Sequence, residues 1–143
     1  MSLGETIDLL KRSPVGRLAM AVGDRPYVVP LHFLYDGGKI YFHCASEGKK
    51  MEYIARNPNV CFEVDEFLGL RPGEGPCDWG TRYRSAIVYG RASALSEESE
   101  RIEVLNKFLE KYAGRGHRIQ KPPRDVTVMG ITIEEITGKQ DLR

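Results

Sequence analysis

The chain has 143 residues, 41% of them apolar, enough for one domain with a real core and short of two. Lys and Arg number 21 against 20 Asp and Glu, so there is no broad field to attract nucleic acid or an acidic membrane, and any anion site must be local. Three cysteines, Cys44, Cys61 and Cys77, are odd in number and include no CxxC pair, which points away from a disulfide framework or a thiolate metal knuckle and towards a reducing cytoplasm.

Taken in order, Ser2-Leu3-Gly4-Glu5 is a capping-box pattern, and Leu3, Ile7 and Leu10 follow at helical spacing, so a short helix is predicted up to about Arg12. No basic region followed by an apolar stretch opens the chain, and no apolar run approaches the roughly 20 residues that span a bilayer. Leu18, Met20 and Val22 alternate as a first strand, and Tyr27 to Tyr35 reads as a second. Gly37-Gly38 then supplies the positive φ angles of a two-residue hairpin turn into a third strand, Lys39 to Cys44. A short helix after Gly48 closes at Asn57-Pro58, because a residue before proline is pushed out of the helical region.

Val60 to Leu68 reads as a fourth strand, and Gly69 to Thr81, rich in glycine and proline, as a long loop in which Trp79 folds back onto an apolar surface. Arg84 to Leu95 is a fifth strand, and after Ser96 a helix carries Ile102, Leu105, Phe108, Leu109 and Tyr112 on one apolar stripe. The segment from Gly114 to Asp125 reverts to loop composition before a sixth strand, Val126 to Ile136. The pattern is an α+β, mainly β, single domain over residues 1–143, with six antiparallel strands curled into a barrel and flanking helices.

A two-residue turn at Gly37-Gly38 sets Asp36 opposite Lys39, Phe33 opposite Phe42 and His32 opposite His43. Val29, Leu31, Phe33, Tyr35, Ile40, Phe42 and Cys44 then form a core face. The other face carries Pro30, His32, Leu34, Tyr41 and His43 and should meet solvent, a ligand or a partner chain.

Directly after the third strand, Ser46-Glu47-Gly48-Lys49-Lys50 brings helix N–H groups, the positive end of the helix dipole and two ammonium groups together, chemistry that suits a single phosphate. The pattern is not a P-loop, since the leading glycine and the hydroxyl after the lysine are missing. Two solvated lysines at a helix start remain the alternative on these residues alone.

His32 and His43 could hold a metal or haem, but no third ligand accompanies them, since His117 sits far along in a basic loop, and no metal site is assigned. Cys44 and Cys61 fall on core positions and read as small buried hydrophobes. Thr81 to Ser85 offers guanidinium and hydroxyl groups to a planar polar ring or a phosphate, or is an ordinary charged edge. Arg115 to Arg124 reads as a solvated loop and at most a substrate rim.

The order of Val15-Gly16-Arg17-Leu18-Ala19, Val28-Val29-Pro30-Leu31-His32-Phe33, Ile40-Tyr41-Phe42-His43-Cys44-Ala45 with Gly48-Lys49-Lys50, Arg56-Asn57-Pro58-Asn59-Val60 and Ser85-Ala86-Ile87-Val88-Tyr89-Gly90-Arg91-Ala92 resembles the pyridoxamine 5'-phosphate oxidase-like superfamily of FMN-binding split barrels, in particular its short nitroimidazole reductase-like branch. The resemblance implies FMN as cofactor. Val29, Pro30 and Leu31 would line the isoalloxazine edge, His43, Cys44 and Ala45 the ribityl-phosphate, Lys49 and Lys50 the phosphate, and Arg84 and Ser85 would reach the flavin, in many relatives from a second subunit.

It further implies a cytoplasmic homodimer with flavin at the interface and an oxidoreductase passing hydride or electrons from a nicotinamide donor to a small planar acceptor. A non-enzymatic flavin- or haem-binding module is the alternative. Phe33 stands where the vitamin B6 oxidases place a basic residue, so their substrate site is not carried over.

Overall fold

The computed structural model describes residues 1–143. The first helix, α1 (Leu3–Arg12), starts as the capping box requires: Glu5 N–H donates to Ser2 Oγ at 3.2 Å and Ser2 N–H to the Glu5 carboxylate at 2.6 Å. Its Leu9 and Leu10 are fully buried and close one end of the main core.

Seven strands follow, β1 (Gly16–Val22), β2 (Arg25–Leu31), β3 (Leu34–Asp36), β4 (Lys39–Ala45), β5 (Asn59–Arg71), β6 (Gly80–Ala94) and β7 (Val126–Asp141). They form one sheet in the order β2-β1-β5-β6-β7-β4-β3. This corrects the expected six-stranded split barrel to seven strands in one unclosed sheet. The predicted second strand divides at His32-Phe33, where the chain leaves the β1 ladder and crosses to join β4, so β2 and β3 are consecutive in sequence yet lie on opposite edges of the sheet. That crossing is a seam without a hydrogen-bonded ladder. Phe33 plugs it from inside, fully buried, its ring centroid 4.8 Å from that of Phe62.

The Gly37-Gly38 turn has φ of 57° and 80°, and Asp36 pairs with Lys39 as expected. The ladder stops at Leu34 opposite Tyr41, so neither Phe33 with Phe42 nor His32 with His43 is a cross-strand pair. The face assignment survives the break: Phe33, Ile40 and Phe42 are fully buried, and Val29, Leu31, Tyr35 and Cys44 pack against the same core. Gly16 is required there, because a Cβ at that position would lie 2.1 Å from the Phe62 ring.

On the opposite face, Leu34, Tyr41 and Val128 are covered by Val104, Leu105 and Phe108 of α3 (Glu98–Ala113), a second and smaller core. A short α2 (Lys49–Arg56) ends at Asn57, as the following proline dictates. Strands β5 and β6 extend further than alternation predicts, leaving only residues 72–79 as their connection, and Trp79 is 52% exposed rather than folded back. Antiparallel pairing to Arg71 and Gly80 overrides the glycines that read as loop, at the cost of a bulge between Phe67 and Gly69.

Candidate functional site

The end of β4 and the start of α2 build the candidate anion site. Gly48 precedes α2 with φ of 134°, a conformation that favours glycine, and no side chain caps the helix. The first backbone bond of the turn runs from Glu52 N–H to Gly48 O at 3.0 Å, so the N–H groups of Lys49, Lys50 and Met51 face outward without a partner in the chain. An ideal Cβ on Gly48 would touch nothing within 4 Å, so the space before the helix is open.

Both lysines lie against aromatic faces. Lys49 Nζ sits 4.5 Å from the Tyr27 ring centroid and Lys50 Nζ 5.6 Å from that of Phe42. Uncapped N–H groups, dipole and two ammonium groups are the donor set of a phosphomonoester, and the residues present fit the terminal phosphate of a flavin. Val29, Pro30 and Leu31 lie on β2, whose only ladder is with β1, so its free edge offers unpaired backbone groups to a planar heterocycle.

Cys44 turns inward, its Sγ 3.5 Å from Met51 Sδ, and burial pushes its thiol up, so it packs and does not act as a nucleophile. Burial raises the Cys61 thiol in the same way, and Cys77 is exposed. No group of three or more His, Cys, Asp and Glu side chains converges as a metal site.

His32 and His43 share a cavity of about 300 Å³ with Leu105, Phe108, Tyr112 and Ile119. The His32 ring stacks on Tyr112 at 4.6 Å, and the His43 ring meets Phe108 edge-on at 5.0 Å. Desolvation, then the nearby His32 and Lys50, hold His43 below the usual imidazole range, so it is neutral at pH 7 and can donate through one nitrogen and accept through the other. The two histidines therefore meet through one cavity and not as strand partners.

Two adjacent residues in the last turn of α3 hold the seam below that cavity. Tyr112 Oη accepts from Phe33 N–H at 3.0 Å and lies 2.8 Å from Pro14 O and 2.9 Å from Phe33 O. Lys111 Nζ donates to Ser13 O and Phe33 O, both at 2.8 Å, and lies 3.9 Å from the Phe33 ring centroid. Desolvation lowers this lysine to about 8. The pair replaces the ladder bonds missing at the seam. Sequence reading places Tyr112 only on an apolar stripe; Phe108 and Tyr112 four residues apart, facing a strand with unburied histidines, was the available signal.

Arg84 and Ser85 are not brought to the cradle within one chain. Phe42 pairs with Met129 and Met129 with Ala94, whereas Ser85 lies nine residues back along β6, roughly 30 Å of extended strand. Arg84 is engaged with Glu66 at 3.1 Å and Gln140 at 3.3 Å, and Glu66 also binds Arg12 of α1 at 2.8 Å.

The split sheet, the cradle after β4 and a helix laid across the β4 face define a class: a model of the pyridoxamine 5'-phosphate oxidase family matches residues 2–140, and the chain belongs to that family. Among curated proteins it is similar to the uncharacterized protein RA0666 of Rhizobium meliloti (strain 1021), 29% identical over 96 residues, which cover 66% of this chain and 56% of that protein, little more than half its length. Among solved structures it is similar to a FAD-binding protein from Mesorhizobium loti, with 28% identity, a TM-score of 0.68 and coverage of 96% of this chain and 94% of that one.

A candidate 5-nitroimidazole antibiotic resistance protein from Bacteroides thetaiotaomicron gives a TM-score of 0.81 at 24% identity, covering 96% and 82% of the two chains. A FAD and heme binding protein from Mycobacterium smegmatis gives 0.86 at 18% identity, covering 98% and 71%. These last two share the fold. No helix is long and apolar enough to cross a membrane.

Proposed function

We propose that this chain is a flavoprotein that holds FMN with its phosphate in the Gly48-Lys49-Lys50 cradle and works as an oxidoreductase on a small planar acceptor. The observation that carries the reading is the uncapped start of α2, where three free N–H groups and two lysines gather at one helix N-terminus. The flavin, when bound, supplies hydride transfer between a nicotinamide donor and the acceptor. The chain's own part is to orient and to exclude water.

The cavity beside His43 is lined mostly by apolar and aromatic groups and carries no lysine or arginine, so it suits an uncharged ring and not a phosphate ester. The neutral His43 imidazole offers one donor or acceptor to that ring. A haem-binding reading draws on the same two imidazoles and predicts a Soret band in the purified protein.

A homodimer completes the proposal, with Arg84 and Ser85 of each copy serving the flavin of the other. It is supported by their distance from the cradle within one chain. A second support is the exposed apolar set Val28, Ile87 and Tyr89 on one face of the sheet, where Val28 and Tyr89 lie in a row through Ala19 and Cys61.

The test is the combined Lys49→Ala and Lys50→Ala variant. Each charge-assisted contact is worth about 1.5–3 kcal/mol, so FMN affinity should fall by about 100-fold or more. Unchanged affinity would move the phosphate elsewhere.

A further inference from the structure

Residues 114–125 connect α3 to β7 without a helix or strand of their own. Gly114 and Gly116, with φ of 85° and 98°, bend the chain out of α3, and Asp125, with φ of 58° the one non-glycine residue in the left-handed region, turns it into β7. From Arg118 to Pro122 the backbone makes no hydrogen bond to other backbone. The one ion pair of the connection, Arg115 with Glu110 at 3.8 Å, lies in solvent and ties it weakly.

A single side chain holds the middle of this strap. Asn106 of α3 is only 8% exposed, set among Val104, Leu105 and Phe108 of the second core. Its Nδ2 donates to Ile119 O at 3.1 Å and its Oδ1 accepts from Ile119 N–H at 2.7 Å. The amide thereby does for Ile119 what a neighbouring strand does elsewhere, satisfying both backbone groups of one residue. A buried amide is costly unless both its ends are paired, so the two bonds fix Asn106 and Ile119 together.

Ile119 is also the one residue from Ala113 to Lys121, Tyr112 and Lys111 lying before it, that is not exposed. It packs against the second core and, with Pro123, supplies wall to the cavity shared by His32 and His43. The latched residue and the cavity wall are therefore the same residue. Its branched side chain is stiff at χ1, so the wall keeps its shape while the latch is made. Releasing it gives up two hydrogen bonds and one apolar contact, and no sheet ladder.

We propose that residues 114–125 are the gate of the His32/His43 cavity, that Asn106 is the positioning residue that latches it, and that Ile119 is the residue by which the closed gate selects a flat uncharged ring. The inference rests on the reading of this cavity as the site of the planar acceptor, and adds the segment that closes on it.

The probe is indole, a flat uncharged ring, titrated into the full chain while the His43 ring signals and backbone amide exchange are followed by NMR. In the wild type indole should shift the His43 signals. At about ten times its Kd it should slow exchange at Ile119 about tenfold, because a ligand held only by the closed gate stabilises it in proportion to 1 + [L]/Kd. A latch that only supports the fold has no such coupling to a ligand. Asn106→Leu keeps the volume and removes both bonds. Without ligand its Ile119 amide should exchange at least about tenfold faster, and its indole affinity should fall about threefold or more, while Val128 and Ile131 of β7 stay protected. Ile119→Ala keeps the latch, whose bonds are to backbone, and should lose about tenfold in indole affinity through the missing wall alone.

Indole that binds beside His43 yet leaves Ile119 exchange unchanged would overturn the gate and leave the cavity standing, and so would wild-type exchange in Asn106→Leu. Wild-type indole affinity in Ile119→Ala would overturn the selecting role of Ile119. His43 signals indifferent to indole in the wild type would overturn the reading of the cavity as a ring site, and the gate with it.

Discussion

Tyr112→Phe isolates the clasp at the seam. The substitution keeps the ring that stacks on His32 at 4.6 Å and removes only the oxygen that accepts from Phe33 N–H at 3.0 Å and reaches Pro14 O at 2.8 Å. Phe33 O keeps its bond from Lys111, so the main orphan is the Phe33 N–H in a partly buried position. Leaving such a donor unsatisfied costs about 1–3 kcal/mol, and the partial exposure of Tyr112 lets water recover some of it, so about 2 kcal/mol is expected. For a chain of this size that is a fall in Tm of about 4–8 °C, read by circular dichroism, with faster amide exchange concentrated at Phe33. A Tm within about 1 °C of wild type, with Phe33 still protected, would refute the idea that these side chains stand in for the missing ladder.

Lys111 gives a pH signature with a definite sign. Its folded pKa is depressed from 10.5 to about 8, so the unfolded chain binds more protons between those values and stability rises with pH across that window, then is lost as pH falls through about 8. Urea midpoints of wild type minus Lys111→Met should show that rise, and a flat difference would contradict the desolvated placement. His43 should titrate below the ordinary 6.5 in ¹H–¹³C spectra and move upward in His32→Gln, which removes one of the two neighbouring charges that hold it down. A His43 titration indifferent to His32 would separate the two imidazoles.

Local chemistry was legible where one segment carries the whole signal. The Ser2 and Glu5 box, the Gly37-Gly38 turn and the glycine before Lys49 are each set by neighbours in sequence, and each forms as those neighbours dictate. The division of the second strand was not legible. Tyr27 to Tyr35 is uniformly β-prone, and what splits it is a clasp from Lys111 and Tyr112, more than seventy residues later. The His32 and His43 cavity was half legible: alternation places both imidazoles off the core face, but the wall that makes them a site comes from α3.

The two edges of the sheet bear on how the chain can meet others. An open edge is a template on which a second strand can add, and here each is blunted: β2 carries Pro26 and Pro30, which cannot donate, and β3 is only three residues long. Growth strand by strand into an extended sheet is thereby discouraged at both ends. In the homodimer proposed above, a second copy would meet the broad face that carries Val28, Ile87 and Tyr89, and association there would close on a pair of chains instead of propagating.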